Sequence, residues 1–350
     1  MSSSYAEQLD SLTSRGELWA PLENGRVECF ACGHRCPISP GRRGVCKVRF
    51  NANGELRAPR GYVAALQCDP IEKKPFFHVT PGSLALTFGM LGCDYHCSYC
   101  QNWETSQALR DAEAQGGFRR VTAEQIVEAA KRMGARMITS SYNEPLITAE
   151  WAVEVFREAK RAGLRTSFVS NGNATREALE YLRPWLDCYK VDLKSMRDKN
   201  YRQLGGRLSV VLETIASLHR LGLWVEVVTL VIPGFNDSAE ELEEAASFLA
   251  SVSVDIPWHV TAFHPDYRMQ DRSRTGVAEL LRAVEIGKKA GLRFIYSGNL
   301  PGMVGDTEST FCPKCALPLI QRRGYMIGRD LLSGRGTCPG CGSAIPGIWN

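Results

Sequence analysis

The chain carries the stretch Cys93-Asp94-Tyr95-His96-Cys97-Ser98-Tyr99-Cys100 directly after an apolar run, residues 84–90. Thiolates are soft ligands that select iron–sulfur clusters or zinc over metals that prefer oxygen. Four thiolates would occupy every iron of a [4Fe–4S] cluster, whereas three leave one iron open to a ligand that is not protein. The alternatives are a zinc site completed by His96 and a set of buried free thiols. We favour the cluster because this spacing, with an aromatic residue before the last cysteine, is much rarer than a CxxC pair.

The order Cys93-x3-Cys97-x-Tyr99-Cys100 resembles the cluster loop of radical S-adenosylmethionine (SAM) enzymes. In that superfamily the open iron chelates the amino and carboxylate groups of SAM, and reduction cleaves SAM to methionine and a 5′-deoxyadenosyl radical. The resemblance implies a catalytic [4Fe–4S] cluster on Cys93, Cys97 and Cys100, here called the cluster triad, with Tyr99 as a cofactor-binding residue. The protein would contribute binding, orientation and exclusion of water, while cluster and cofactor supply the radical chemistry.

The bulk composition is that of an ordinary globular protein of 350 residues with a formal net charge of +4. Its basic residues form no stripe of the kind that nucleic-acid binding requires. Of thirteen cysteines, eleven fall in three tight clusters, which favours metal sites in a reducing compartment. The first ten residues contain acidic side chains and no long apolar run, and no stretch approaches the roughly 18 apolar residues of a spanning helix. We therefore predict a cytoplasmic protein that binds neither nucleic acid nor a membrane.

The pattern divides the chain into three segments: a cysteine-rich module with a connector (1–80), a central segment (81–304) and a C-terminal segment (305–350). In the central segment, apolar runs alternate with amphipathic helical patterns, which predicts a parallel sheet covered by helices. The predicted strands are 84–90, 136–141, 165–170, 188–193, 224–232, 258–263 and 292–297. The predicted helices are 122–134, 147–162, 174–183, 207–221, 238–251 and 276–290. Periodicity fits a barrel and an open sheet equally, but the resemblance implies an α/β fold with a partial (β/α)6, TIM-like barrel of the radical SAM type.

Polar residues follow the predicted strands, and ligands of parallel α/β folds bind at the carboxyl ends of strands. The resemblance assigns Glu144, with Asn143 beside it, to the SAM ammonium group. It assigns Ser170 and Asn171 to the ribose or carboxylate.

Asp192-Leu193-Lys194 matches the DLK segment of glycyl-radical-enzyme activases, so Asp192 and Lys194 are further cofactor-binding candidates. Gly234 lets the backbone approach the adenine closely. Two histidines lie near the sixth predicted strand. His264, at its end, is the catalytic candidate, whereas His259, which alternates with apolar neighbours, is predicted to be a core residue.

The N-terminal quartet, defined as Cys29, Cys32, Cys36 and Cys46, lies within eighteen residues rich in turn formers. Four thiolates close a tetrahedral zinc site or hold an auxiliary iron–sulfur cluster. The spacing leaves both open, and we favour zinc.

The ribbon quartet consists of two CxxC pairs, and such pairs predict a zinc ribbon that needs the metal to fold. Its members are Cys312, Cys315, Cys338 and Cys341.

Several segments together resemble the radical SAM enzymes of the AmmeMemoRadiSam system, which are related to pyruvate formate-lyase activating enzymes. These segments are 44–49, 69–75, 142–145, 297–299 and 346–349. The resemblance implies a reductant protein such as flavodoxin or ferredoxin and partners of the Memo and AMMECR types.

We predict a radical SAM enzyme that abstracts hydrogen from a small molecule or a group delivered by a partner, on the expectation that the flanking segments cover the active-site mouth. One alternative is an activase that installs a glycyl radical in a partner protein. The other is a zinc-stabilised binding protein without catalysis.

Overall fold

The computed structural model describes residues 5–114, 116–332 and 334–350. The N-terminal segment folds into small antiparallel sheets. Its helix and strands are Tyr5–Asp10 (α1), Thr13–Arg15 (β1), Trp19–Pro21 (β2), Val27–Cys29 (β3), Pro37–Ile38 (β4), Phe50–Ala52 (β5), Glu55–Pro59 (β6) and Tyr62–Val63 (β7). Strands β1, β6 and β5 form one sheet and β2, β3 and β4 another. Strands of two to five residues joined by turns carry no long periodic pattern, so the sequence did not predict them.

Residues 65–298 build one eight-stranded sheet. Its strands, together with the short strand β10 that pairs with β7, are Ala65–Pro70 (β8), Leu84–Gly89 (β9), Arg119–Arg120 (β10), Met137–Ser140 (β11), Arg165–Ser170 (β12), Cys188–Asp192 (β13), Trp224–Val231 (β14), Trp258–Ala262 (β15) and Ile295–Gly298 (β16). The order across the sheet is β16-β15-β14-β13-β12-β11-β9-β8. The seven strands β9 and β11 to β16 are parallel, and β8 is antiparallel to β9.

All seven predicted strands are thus confirmed. The sheet has seven parallel strands where the resemblance implied six. Strand β8 also joins the sheet, although the sequence placed it in the N-terminal module.

Helices connect the parallel strands and follow the predicted pattern closely. They are Trp103–Ser106 (α2), Ala123–Arg132 (α3), Ala149–Arg161 (α4), Arg176–Leu182 (α5), Asp198–Leu204 (α6), Leu208–Arg220 (α7), Ala239–Val252 (α8) and Val277–Lys289 (α9). Thr122 and Gln125 form the predicted capping box at the start of α3. Gly163, after α4, has a φ of +73°, a left-handed conformation that commonly ends helices.

The strand order follows the chain without a reversal. Because nearly all parallel crossovers are right-handed, this order puts the connecting helices on one face of the sheet and leaves the other face to curl around an interior. In the described residues the edge strands β8 and β16 do not pair with each other. The carboxyl ends of β9 to β16 therefore share one edge, here called the rim. No helix in the described ranges is long and apolar enough to cross a membrane.

The C-terminal segment packs against the opposite end of the sheet, where the strands begin. Its strands are Thr310–Phe311 (β17), Pro318–Arg323 (β18) and Met326–Asp330 (β19). Ile320 and Trp349 share an apolar cluster with Phe77 and Phe294, which directly precedes β16. The Ile348 amide donates to the carbonyl oxygen of His78 at 2.7 Å. The ribbon thus closes the base of the sheet, and the expectation that it flanks the active-site mouth is wrong.

Buried polar groups hold this base together. The Glu226 carboxylate on β14 accepts hydrogen bonds from the Phe77 and His78 amides at 3.0 and 2.9 Å and lies 2.7 Å from His259 Nε2. His259 is therefore a satisfied core residue, as predicted. Arg322 of the ribbon donates to the Phe77 carbonyl oxygen at 2.7 Å. The ribbon and the sheet consequently share one polar core.

The N-terminal module is tied to the sheet by a buried ion pair. Both Arg49 guanidinium Nη atoms donate to the Glu150 carboxylate on α4, at 2.6 and 2.7 Å, and both side chains are nearly inaccessible to solvent. The amides of Glu17 and Leu18 also donate to Glu150 Oε1. A buried charge must be paired and hydrogen-bonded to be tolerated, so this contact fixes the module's position.

Candidate active site

The cluster triad lies on a loop at the rim, directly after β9. Gly92 turns the chain into this loop with a φ of +91°. The Tyr95 amide donates to Cys93 Sγ at 3.4 Å, and Cys100 Sγ lies 3.2 Å from Ser106 Oγ. Burial raises the pKa of the Cys97 thiol to about 12, so its sulfur keeps its proton unless a metal displaces it. Three sulfurs on one partly buried loop, supported by hydrogen-bond donors, fit an iron–sulfur cluster with one open iron.

Asp94, inside the cysteine motif, is a buried carboxyl that the sequence analysis missed. Its Oδ1 accepts from the Asn171 amide group at 2.7 Å, and its Oδ2 accepts from the Asn173 amide group at 2.8 Å. Both asparagines follow β12, so Asp94 joins the cluster loop to the third parallel strand. The available signal was an acidic side chain between two cysteines that were themselves predicted to bind the cluster.

Glu144 lies in the same buried network, after β11. Its Oε1 accepts from Ser170 Oγ at 2.7 Å, and its Oε2 accepts from the Asn171 amide at 2.8 Å. Burial, reinforced by the nearby Asp94, raises the pKa of Glu144 to about 8. Ser170 and Asn171, which the resemblance assigned to the ribose or carboxylate, hold Glu144 in place.

The two buried carboxyls have no cationic partner. Within the described ranges, no Lys or Arg nitrogen lies within 4.0 Å of Glu144 or Asp94. Amides and a hydroxyl satisfy their oxygens, but none of these groups carries a positive charge. Buried charges are ordinarily paired, so the site fits a positively charged ligand such as the SAM ammonium group.

Asp192 and Lys194 lie together at the end of β13. Asp192 pairs with Lys190 and, at 3.3 Å, with Lys194. Although burial opposes it, these two cations hold the pKa of Asp192 down at about 2. Lys190 was not predicted as a site residue, because a lysine inside an apolar strand does not indicate which carboxylate it pairs with. The three charges form a compact polar patch beside the triad.

The remaining cofactor candidates are Tyr99, Gly234 and Asn143, and they differ in whether the side chain already binds the backbone. Tyr99 is buried, and its ring packs edge-on against Phe235 with centroids 5.9 Å apart. Gly234 has a φ of +68°, and a Cβ there would lie 2.9 Å from Arg272 Nη1. Asn143, by contrast, uses its side chain to accept from the Met90 amide at 3.0 Å, so it braces the end of β9.

His264, the catalytic candidate, lies after β15, and its side chain is 46% exposed. It contacts the Gln101 side chain at 3.3 Å. Nearby, Tyr267 stacks on Trp103 and donates to Asp111 at 2.5 Å. Residues 264–268 are thus fastened to residues 98–111, which covers one side of the rim and leaves His264 accessible. A cavity of about 350 Å³ lies between these segments and Phe235.

The cysteine clusters differ in the spacing of their sulfurs. In the ribbon quartet, Cys312 and Cys341 Sγ lie 3.6 Å apart, as do Cys315 and Cys338 Sγ. All four sulfurs lie within 4.8 Å of one another, and within the described residues this is the sole group of three or more potential ligands that does so. The ribbon quartet therefore fits a tetrahedral zinc site, whereas the triad and the N-terminal quartet are more widely spaced.

Comparisons with known proteins agree with this geometry. Residues 88–249 match the Radical SAM superfamily. The uncharacterized protein MJ0808 of Methanocaldococcus jannaschii is 35% identical over 329 residues, which cover 93% of this chain and 96% of that protein. The isethionate sulfite-lyase activating enzyme of Oleidesulfovibrio alaskensis is 30% identical over 128 residues, covering 35% of this chain and 41% of that enzyme. The pyruvate formate-lyase 1-activating enzyme of Escherichia coli K12 is 28% identical over 198 residues, covering 53% and 77%.

Proposed function

The chain belongs to the radical SAM superfamily and is a radical SAM enzyme, and from this premise we propose that the cluster triad holds the [4Fe–4S] cluster at which SAM is cleaved. When reduced, such a cluster with bound SAM supplies a 5′-deoxyadenosyl radical that abstracts hydrogen. We propose that the hydrogen comes from a small molecule or from a group delivered by a partner protein.

One observation carries this proposal: two buried carboxyls without a cationic partner lie beside a three-thiol loop. Asp94 belongs to the loop itself, and Asn171 links it to Glu144 through hydrogen bonds of 2.7 and 2.8 Å. A zinc site would explain the thiols, but it would not explain a second buried carboxyl without a cationic partner, contributed by the residues that follow a different strand. An amine-bearing cofactor bound next to the thiols accounts for both.

The residues around the pocket orient the cofactor and exclude water. Glu144 is preset by Ser170 and Asn171 to receive an ammonium group, which limits the reorganisation required on binding. Tyr99 and Phe235 provide an apolar wall, and Gly234, with its φ of +68°, is the proposed point at which the backbone meets the adenine. Asp192 and Lys194 supply one charge of each sign for the polar groups of the cofactor. His264 remains accessible at the rim and is the proposed group that meets the substrate.

The cover formed by residues 264–268 over 98–111 supports a small substrate. It closes one side of the rim, because the Arg268 amide donates to the Ser98 carbonyl oxygen at 2.9 Å and Tyr267 donates to Asp111. The second candidate function is that of an activase, and it rests on the activating enzymes among the relatives and on the DLK segment. An activase must admit a glycine loop of its partner through this same rim.

We also propose the remaining cofactor and partners on this basis. The ribbon quartet would hold zinc, which its 3.6 Å sulfur spacings fit. A flavodoxin or ferredoxin would deliver the electron, since SAM cleavage of this type is reductive. Memo-type and AMMECR-type proteins are the proposed partners that deliver or receive the substrate.

The test is anaerobic incubation of reduced enzyme and SAM with deuterated candidate substrates, alone or with candidate partner proteins. Transfer of deuterium into 5′-deoxyadenosine supports hydrogen abstraction from that substrate. A stable glycyl-radical doublet in electron paramagnetic resonance (EPR) on a partner would overturn the small-molecule proposal in favour of the activase. The matched control is Glu128→Gln, a change on the exposed face of α3, which should behave as the wild type in both assays.

A further inference from the structure

We propose that the N-terminal quartet holds an auxiliary iron–sulfur cluster, and not zinc, directly beside the catalytic cluster loop. This inference goes beyond the proposed function and does not depend on it, because the quartet can be studied in protein that lacks the cluster triad.

The four cysteines converge although Cys29 ends strand β3 and the other three follow in the connecting segments. The Cys29 amide donates to the carbonyl oxygen of Cys36 at 3.0 Å, and Cys36 Sγ accepts from the Val45 amide at 3.5 Å. Val45 directly precedes Cys46, and Cys32 lies on the turn between Cys29 and Cys36. Three of the four side chains are buried, and Cys36 is partly exposed. The module therefore encloses a thiol-lined site that opens at one corner.

The spacing of the sulfurs favours a cluster over a single ion. Zinc binds thiolates at about 2.3 Å in a tetrahedron, which puts the sulfurs about 3.8 Å apart. The ribbon quartet meets this spacing with two pairs at 3.6 Å. Among the described residues, no three sulfurs of the N-terminal quartet lie within even 4.8 Å of one another. In a cubane each thiolate binds a different iron, so the sulfurs are held farther apart, as they are in the triad.

Three contacts join the quartet to the cluster loop. The amide of Gly33, next to Cys32, donates to the Asn173 carbonyl oxygen at 2.8 Å, and the Asn173 side chain donates to Asp94. The Arg110 guanidinium donates to the carbonyl oxygens of Tyr95 and Val45, at 2.8 and 2.5 Å.

The third contact is a direct approach of the two backbones. A Cβ placed on Gly92 would lie 3.1 Å from the carbonyl oxygen of Cys46. With standard bond lengths, this puts the Cα atoms of Cys46 and Cys93 no more than about 11 Å apart.

Because the N-terminal quartet lies close to the cluster loop, the identity of its metal decides whether the site can take part in electron transfer. Zinc has no accessible second oxidation state and would serve structure alone. An iron–sulfur cluster in the same place would be a one-electron centre in contact with the catalytic loop. Backbone hydrogen bonds to cluster sulfurs tune such centres, and the Val45 amide already provides one.

The experiment counts metals in three variants purified anaerobically from cells grown with both iron and zinc, without reconstitution. In the triad variant, Cys93→Ala/Cys97→Ala/Cys100→Ala, we expect about four irons and one zinc per chain, against about eight irons and one zinc in the wild type. The matched control, Cys312→Ser/Cys315→Ser, should lose the zinc and keep the iron. Two zincs and no iron in the triad variant would overturn the proposal, as would an N-terminal quartet that holds no metal.

A second measurement covers the case in which altered cysteines disturb folding. The single variant Cys36→Ser changes the partly exposed member of the quartet, and circular dichroism verifies its fold. We expect its reduced EPR spectrum to lack one cluster signal. The wild-type spectrum should differ from the sum of the Cys36→Ser and triad-variant spectra, because centres this close interact magnetically. The auxiliary cluster would be refuted if the wild-type spectrum were identical to the spectrum of Cys36→Ser and the triad variant contained no iron.

Discussion

Replacing Glu144 by Gln should weaken SAM binding and, at the same time, stabilise the SAM-free protein at alkaline pH. The substitution keeps the size of the side chain and removes the negative charge, but the new amide nitrogen cannot accept the hydrogen bond that one carboxylate oxygen receives from the Asn171 or Leu146 amide. In the SAM-free protein that charge is buried without a cationic partner, so its removal relieves a cost. In the complex the charge meets an ammonium group, so its removal takes away a favourable contact.

The magnitudes follow from the raised pKa of Glu144, about 8 against the usual 4.5. Between these two values the folded protein binds a proton that the unfolded chain has released, so stability falls as pH rises through this window. At 1.36 kcal/mol per pKa unit, the total fall attributable to Glu144 is roughly 5 kcal/mol by pH 8 and above. For binding, loss of one charge of a buried pair costs about 2–4 kcal/mol, or roughly 30- to 700-fold in Kd.

The assay compares urea unfolding of the SAM-free wild type and Glu144→Gln protein from pH 5 to pH 8.5, and SAM binding by anaerobic equilibrium dialysis. We expect the variant to gain stability over the wild type progressively from pH 5 to pH 8 and to bind SAM far more weakly. Glu128→Gln, an exposed change on α3, serves as the control for both measurements. Equal SAM affinity in Glu144→Gln and wild type, or parallel stability profiles across this pH range, would refute the reasoning.

Two further predictions concern stability. Because Arg322 and Trp349 pack into the base of the sheet, loss of zinc in Cys338→Ser should lower the melting temperature of the whole chain. A calorimetric trace in which the ribbon unfolds early and the main transition is unchanged would contradict this. Arg49→Ala leaves the buried Glu150 carboxylate unpaired and should lower the free energy of unfolding in urea by about 3–5 kcal/mol. The control, Arg15→Ala, removes an exposed ion pair and should lower it by less than about 1 kcal/mol. Similar losses in the two variants would show that the Arg49 ion pair is not a buried anchor.

The regular part of the fold was predictable because its signals are local. Each central strand is an apolar run, and each helix is amphipathic. Thr122 marks a helix start through its side chain, and Gly163 marks a helix end because it has no side chain to oppose a positive φ. The small N-terminal sheets and the antiparallel strand β8 carry no such pattern. The location of the ribbon at the base depends on the packing of Trp349 and Arg322 against residues far away in sequence, which no local pattern encodes.

The candidate site was predictable to the extent that it lies in motifs. The cluster triad and Glu144 were found from spacing and resemblance. Asp94 was missed because its partners, Asn171 and Asn173, lie 77 and 79 residues away. Lys190 was missed because its partner, Asp192, lies on the same side of the chain only when β13 adopts an extended conformation. Asn143 stays a cofactor-binding prediction; its contact with the Met90 amide was not foreseen, because a side-chain amide at a strand end satisfies backbone groups as readily as a ligand.

The most direct test of the central claim is the amount of 5′-deoxyadenosine formed anaerobically from SAM and dithionite by the wild type and by the triple alanine variant of the cluster triad. If the triad holds the catalytic cluster, the wild type forms 5′-deoxyadenosine and the variant forms none, although its N-terminal quartet and ribbon quartet are intact. Formation of 5′-deoxyadenosine by the variant at the wild-type rate would contradict the assignment of catalysis to Cys93, Cys97 and Cys100.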